Sequence, residues 1–262
     1  MEYKVIDGKG IIPDGTTEVE RWAFGACTSL QSIEIPDSVT VIGKEAFRGC
    51  TSLQSIEIPD SVIKIGSSAF NRCTSLQSIL IPDSVAKIDN WAFLGCDNLT
   101  SIIVSKNNSK YKSTNNCILT KDGKELILCS NHEIPDGVTK IGVGAFYNCT
   151  CLQLIVIPDS VTTIRENAFA YCENLQSISI PDSVTEIGLS AFKGCASLQS
   201  IDISTQKKDP DLPRGRIEYL LQALSEYSKE FSLRVPIGCD DAYRHYPAFE
   251  GKFQKIIADI DA

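Results

Sequence analysis

Apolar and polar residues recur in a fixed order along most of this chain, with a period of 23 residues. In the stretch Leu30–Phe47 the apolar positions are Leu30, Ile33, Ile35, Val39, Ile42, Ala46 and Phe47. Ile33 and Ile35 alternate with Ser32 and Glu34, the period-2 signature of a half-buried strand. The two isoleucines are predicted to face inward, with Ser32 and Glu34 outward. Pro36 ends this strand because it cannot donate to a ladder. Pro-Asp-Ser then reads as a turn, with Asp or Ser capping the backbone. Val39-x-x-Ile42 predicts a second short strand on the opposite face, broken at Gly43. Asp89 and Arg165 stand at the Gly43 position in other copies, so a strict requirement for positive φ is not expected there. Lys44–Gly49 is predicted to form one helical turn carrying Ala46 and Phe47.

Copies of this unit are close. Thr28–Cys50 and Thr51–Cys73 agree at 17 of 23 positions. Ile-Pro-Asp begins at Ile12, Ile35, Ile58, Ile81, Ile134, Ile157 and Ile180. At a fixed offset follow Phe24, Phe47, Phe70, Phe93, Phe146, Phe169 and Phe192, and three residues later Cys27, Cys50, Cys73, Cys96, Cys149, Cys172 and Cys195. A period of ~20–29 residues with L-x-x-L-x-L spacing indicates a leucine-rich-repeat solenoid. The expected fold is an α/β solenoid. It is a right-handed coil of 23-residue repeats, with a β-strand on one face and a short strand plus helical turn on the other. Residues 1–204 are expected to form the solenoid, and 205–262 a linker, an amphipathic helix and a non-repeat C-terminal cap. Stacking places like residues ~4.8 Å apart. The phenylalanines should therefore form a continuous structural spine, and the seven repeat cysteines a ladder of buried free thiols. Distance alone allows disulfides along that ladder, but in-register side chains point the same way. Cys149-x-Cys151 is read as the one close cysteine pair, and as drift.

The period fails in a few places. Ile81 and Ile134 are 53 residues apart, and the unit between them is rewritten. Cys117–Thr120 and Glu125–Cys129 flank Lys121-Asp122-Gly123-Lys124, and Asp-Gly between apolar runs predicts a β-hairpin. The irregular repeat spans about 105–133, with Asn107-Asn108 and Asn115-Asn116 as polar turns. Thr16 stands where later copies have valine, which suits an N-terminal cap. Trp22 and Trp91 share one repeat position and are expected to cover coil edges that lack a regular neighbour, with partner binding as the alternative. Beyond Ser204, Thr205–Gly215 reads as a linker and Arg216–Lys229 as an amphipathic helix. Phe231–Val235 reads as a strand, Cys239–Tyr246 as a short helix and Phe249–Ile260 as apolar anchors.

The unit L-x-x-I-x-I-P-D-S-V-x-x-I-G-x-x-A-F-x-x-C resembles the BspA-like leucine-rich repeats over Ile12–Ile203. Val235-Pro236-x-Gly238 with Tyr243, Phe253 and Ile256 resembles that family's usual ending, and the Arg216–Lys229 helix departs from it. The resemblance implies a bacterial surface or secreted protein, adhesion to or binding of host or matrix proteins, and no catalytic residues.

Charge narrows the partners. The net charge is −8. That argues against sequence-independent nucleic-acid binding, which needs a basic stripe, and against docking on an anionic membrane. No apolar run reaches the ~18 residues of a membrane helix. The first fifteen residues have no basic and apolar regions of a signal peptide, so a surface location rests on the resemblance alone. His132 and His245 are far apart, and no nucleophile, phosphate-loop or dinucleotide motif appears. His132, at a core strand position, reads as a packing substitution, and the Ile-Pro-Asp aspartates read as turn residues. No enzyme activity, cofactor or metal is expected.

The outward strand position between the core isoleucines remains as the candidate site. It reads Glu34, Glu57, Leu80, Ile103, Glu133, Val156, Ser179 and Asp202. Leu80, Ile103 and Val156, with Glu34 and Glu57 beside them, suggest an apolar protein-binding patch with an acidic rim. The competing possibilities are that the hairpin or C-terminal helix covers it, or that the chain is a structural, self-associating scaffold.

Overall fold

The structure is a computed structural model that describes residues 3–131, 133–203 and 232–235, and the backbone of 255–258. His132, His245, the expected 205–215 linker and the expected helices at 216–229 and 239–246 lie outside the described residues. The chain divides into two compact units, Met1–Asn131 and His132–Ala262. Each is a β-solenoid with parallel strands.

In the first unit the strand-bearing side holds Ser32–Ile33, Ser55–Ile56, Ser78–Ile81 and Ser101–Val104. The last two pair in parallel, with Ile79 beside Ile102 and Leu80 beside Ile103. The opposite side is a four-stranded parallel sheet of Glu18–Val19, Val41–Ile42, Lys64–Ile65 and Lys87–Ile88. In the second unit the corresponding ladders are Lys140–Ile141, Thr163–Ile164 and Glu186–Ile187, and Ser177–Ser179 with Ser200–Asp202. Ser232–Val235 continues the latter sheet, and Lys255–Ala258 pairs with it in parallel. The strand expected at 231–235 is thus present.

The predicted helical turn is corrected. No α-helix occurs among the described residues. Over Lys44–Gly49 the amides alternate in direction. Ala46, Arg48 and Cys50 donate three residues back, to Gly43, Glu45 and Phe47, at 3.3, 3.1 and 3.1 Å. Glu45, Phe47 and Gly49 donate to Ser67, Ala69 and Asn71 of the next coil at 2.9, 2.8 and 2.7 Å. A helix would point every amide along its own axis and leave the next coil unpaired. The alternation needs left-handed backbone at Glu45 (φ 58°) and Gly49 (φ 76°). The equivalent residues Trp22, Ala26, Ser68, Arg72, Trp91, Asn148, Asn167, Tyr171 and Ser190 are left-handed too. A non-glycine residue there carries a cost of roughly 1–2 kcal/mol, which the intercoil bonds offset. Gly43, by contrast, has no positive φ. A Cβ on it would lie 2.5 Å from the Val19 carbonyl oxygen, so the coils approach too closely for a side chain.

The centre of each regular coil is filled by phenylalanine. Phe24, Phe47, Phe70 and Phe93 stack at 5.4, 5.3 and 5.3 Å between ring centroids with planes within 5° of parallel. Tyr3 closes the lower end edge-on at 5.4 Å. In the second unit Phe146, Phe169 and Phe192 stack at 5.2 and 5.6 Å. The spine is thus described as one stack per unit. Both are offset stacks, the arrangement aromatic quadrupoles favour.

Two departures from the period differ from expectation in detail. The N-terminus is a hairpin, Lys4–Ile6 against Lys9–Ile11, turning at Asp7 and Gly8 with φ of 49° and 80°. Its second strand pairs in parallel with Ser32–Ile33 and covers that edge. The insert is a three-stranded antiparallel meander, Tyr111–Thr114, Cys117–Thr120 and Glu125–Cys129. The predicted hairpin is its second half. Asn115 and Asn116, with φ of 49° and 53°, make the first turn, as the type I′ geometry of a two-residue hairpin requires. Asn108 is fully buried and anchors the meander. Its amide donates to the carbonyls of Pro82 and Val85, and its oxygen accepts from the amides of Lys110 and Tyr111.

Two cysteines outside the repeat position form a bond that the repeat pattern does not foresee. Cys117 and Cys129 face each other across the hairpin and are disulfide-bonded, with Cα atoms 4.1 Å apart. The antiparallel register, not the repeat, brings them together.

Phe70→Ala is expected to lower stability by about 3–5 kcal/mol, read from denaturant unfolding; a midpoint near wild type would remove the stack from the account of stability. Replacing Cys117 and Cys129 with alanine is expected to cost about 3 kcal/mol for a loop of this length, with reductant having no further effect on the variant.

Candidate protein-binding face

Parallel pairing fixes which side chains leave the coil on the strand-bearing side. Ile79, Ile81, Ile102 and Val104 are buried, so Leu80 and Ile103 between them point out. They are cross-strand neighbours in register and are 50% and 53% exposed. The meander lies beside Ser101–Val104, where the amide of Val104 donates to the Ser113 hydroxyl at 2.9 Å. It leaves Ile103 uncovered. Glu34 and Glu57 occupy the same outward position in the two preceding coils and are exposed.

In the second unit Val156 is 83% exposed. Its strand is irregular and reduced to a single bridge between Val156 and Ser179. Leu154, outward on the same segment, is 67% exposed and was overlooked in the sequence. It replaces the serine at the Ser32 position, so comparing that column would have found it. A groove of about 650 Å³ beside Val156 is lined by Ser179, Pro181, Asp159 and Asp182 among others. Two aspartates thus share its lining with the apolar side chain.

Trp22 and Trp91 are 44% and 37% exposed. Both hold the left-handed position of their coil. The Trp22 ring lies on Gly25, where a Cβ would come within 2.2 Å of it, and the Arg48 guanidinium sits 5.6 Å above it.

The repeat cysteines serve the coil. Cys50, Cys73, Cys96, Cys172 and Cys195 donate their thiol protons to the carbonyls of Phe24, Phe47, Phe70, Phe146 and Phe169, at 3.0–3.2 Å. Each bond reaches one coil back. Cys27 and Cys149, part-buried, are not disulfide-bonded either, and Cys151 is exposed. Burial raises the thiols of Cys50 and Cys73 well above the ordinary value, and that of Cys96 to about 12. A buried thiolate would lose hydration that no nearby cation replaces, so these groups are poor nucleophiles.

Among the described residues no group of three or more His, Cys, Asp or Glu side chains is placed to hold a metal ion, and no helix is long and apolar enough to cross a membrane.

Comparison with known proteins agrees with this architecture. The family model described as BspA type leucine rich repeat region matches residues 9–120 and 125–209 in 6 copies. The chain belongs to this family. Among solved structures, a solenoid architecture of this kind recurs in a leucine-rich repeat protein from Eubacterium ventriosum. That protein is 22% identical, with a TM-score of 0.64 over 94% of this chain and 71% of that one. A leucine rich cell surface protein from Faecalibacterium prausnitzii is 25% identical, with a TM-score of 0.59 over 92% and 72%. The pneumococcal vaccine antigen PcpA is 16% identical, with a TM-score of 0.60 over 88% and 68%, a likeness of fold alone. No curated protein matches the chain.

The raised thiol values fix a pH dependence. A group whose folded pKa is raised contributes stability below its unfolded value and loses it as pH rises through the folded one. For Cys96 that window runs from the ordinary 9.0 to about 12. Cys96→Ser keeps a donor to the Phe70 carbonyl but does not ionise there. It is expected to flatten the alkaline loss of stability by about one proton, measured by urea unfolding at stepped pH; an unchanged slope would contradict the burial argument.

Proposed function

We propose that this BspA-type chain is a non-catalytic protein-binding module that uses its strand-bearing face, at the bacterial surface or after secretion. The observation that carries the reading is the exposed pair Leu80 and Ile103, in register on an ordered sheet with Glu34 and Glu57 beside them. Two adjacent solvent-facing aliphatics on a rigid sheet gain free energy only when a partner covers them, roughly 25 cal/mol per Å² of apolar surface removed from water. Shape and apolar contact would supply the affinity, and the acidic rim would disfavour acidic partners. Adhesion to host or matrix proteins is the biological form this takes. The Faecalibacterium relative, described as a cell surface protein, supports the location.

Introducing glutamate at both positions, Leu80→Glu with Ile103→Glu, is expected to reduce recovery of matrix proteins on the immobilised chain by about tenfold or more, with an unchanged melting temperature. Equal recovery would exclude this patch. Light scattering across concentration separates the self-associating scaffold, which alone predicts assembly that grows with concentration and disappears in the same variant.

A further inference from the structure

We infer that the strand-bearing face of the first unit takes a basic protein segment, one that sets lysine or arginine beside an apolar anchor; the inference rests on the protein-binding reading above. The observation is a separation of charge between the two sides of the coil. The strand-and-turn segments 28–38, 51–61, 74–84 and 97–105 contain no lysine or arginine. They expose Glu34, Asp37, Glu57, Asp60 and Asp83. None of these five carboxylates forms an ion pair among the described residues.

The basic side chains of the same coils lie on the other segments, where many are already matched. Arg48 and Arg21 meet Glu45 at 3.2 and 3.5 Å, and Lys64 and Lys87 meet Asp89 at 3.2 and 3.0 Å. One side of the unit thus mixes bases with acids, four of its bases being ion-paired, and the other is left negative. Lys106 ends the column of Asp37, Asp60 and Asp83, so the negative field belongs to the preceding coils. The meander's lysines are partly engaged with its own loops: the Lys121 ammonium donates to the Lys106 carbonyl at 3.1 Å, and that of Lys112 lies over the Gly123 turn.

Coil spacing completes the pattern. Glu57 is one coil from Leu80 and Glu34 two coils, ~4.8 Å per step. A partner that seats an apolar side chain on Leu80 and Ile103 brings its flanking residues over these carboxylates. Opposite charge there steers encounter and fixes orientation, and its effect falls with ionic strength because exposed charges are screened within ~10 Å.

The test uses the full isotope-labelled chain and three short synthetic peptides, of alternating lysine and leucine, lysine and serine, and glutamate and leucine. The lysine–leucine peptide is expected to shift amide resonances around Leu80 and Ile103. Its binding should weaken about tenfold in high salt and in the Glu34→Gln, Glu57→Gln variant. Glu18→Gln with Glu20→Gln, the same change in net charge on the other segments, should leave it unchanged. Equal weakening by both variants would reduce the effect to net charge and overturn the inference. Equally tight binding of the lysine–serine peptide would remove the apolar anchor and overturn it as well. Tight binding of the glutamate–leucine peptide at Leu80 and Ile103 would overturn the basic partner and leave the binding face standing. Shifts confined to other surfaces with every peptide would overturn both.

Discussion

The backbone bond from one coil to the next, made by every second amide of the turn at residues such as Glu45, Phe47 and Gly49, is the constraint on which the rest depends. It sets the spacing between coils, and the spacing lets the phenylalanine rings stack with nearly parallel planes. It also brings each cysteine within reach of the carbonyl of the preceding phenylalanine. The left-handed residues that permit it are locally unfavourable. They persist in every regular coil because a buried unpaired amide would cost about 1–3 kcal/mol.

With the interior fixed this tightly, little freedom remains except on the outward positions. Serine fills one outward column, and acids or aliphatics fill the next. Leu80, Ile103, Leu154 and Val156 are exposed for the same reason that Ile79 and Ile102 are buried, since alternate residues of one strand must face opposite ways. The unpaired carboxylates around the first pair give that surface a sign as well as a shape. The proposed binding surface therefore lies where the repeat is free to vary, not where it is regular.

Much of the architecture can be read from single residues. Period-2 alternation at Ile33 and Ile35 places the first strand, and Asp122-Gly123 places a hairpin between strands whose ends match the structure. The same Asp-Gly signal at Asp7-Gly8 marks the N-terminal hairpin and is equally legible, as is the symmetric placement of Cys117 and Cys129 about the turn. Leu154 is legible too, as an aliphatic in a serine column. The geometry of Lys44–Gly49 is not, because alanine and phenylalanine spaced for a helix are equally suited to a chain of tight turns. Glu45, Ser68 and Trp91 give no local sign of left-handed backbone.

The sequence by itself determined the period, the inward residues of each strand, the family and the acidic balance, because these follow from residue type and spacing. Only the tertiary structure decided that the turns bond to the next coil rather than to themselves, that two cysteines meet across a hairpin, and that Leu80 and Ile103 stay uncovered by the meander. Those outcomes depend on what a neighbouring coil or strand offers to each group, and no residue carries that information alone.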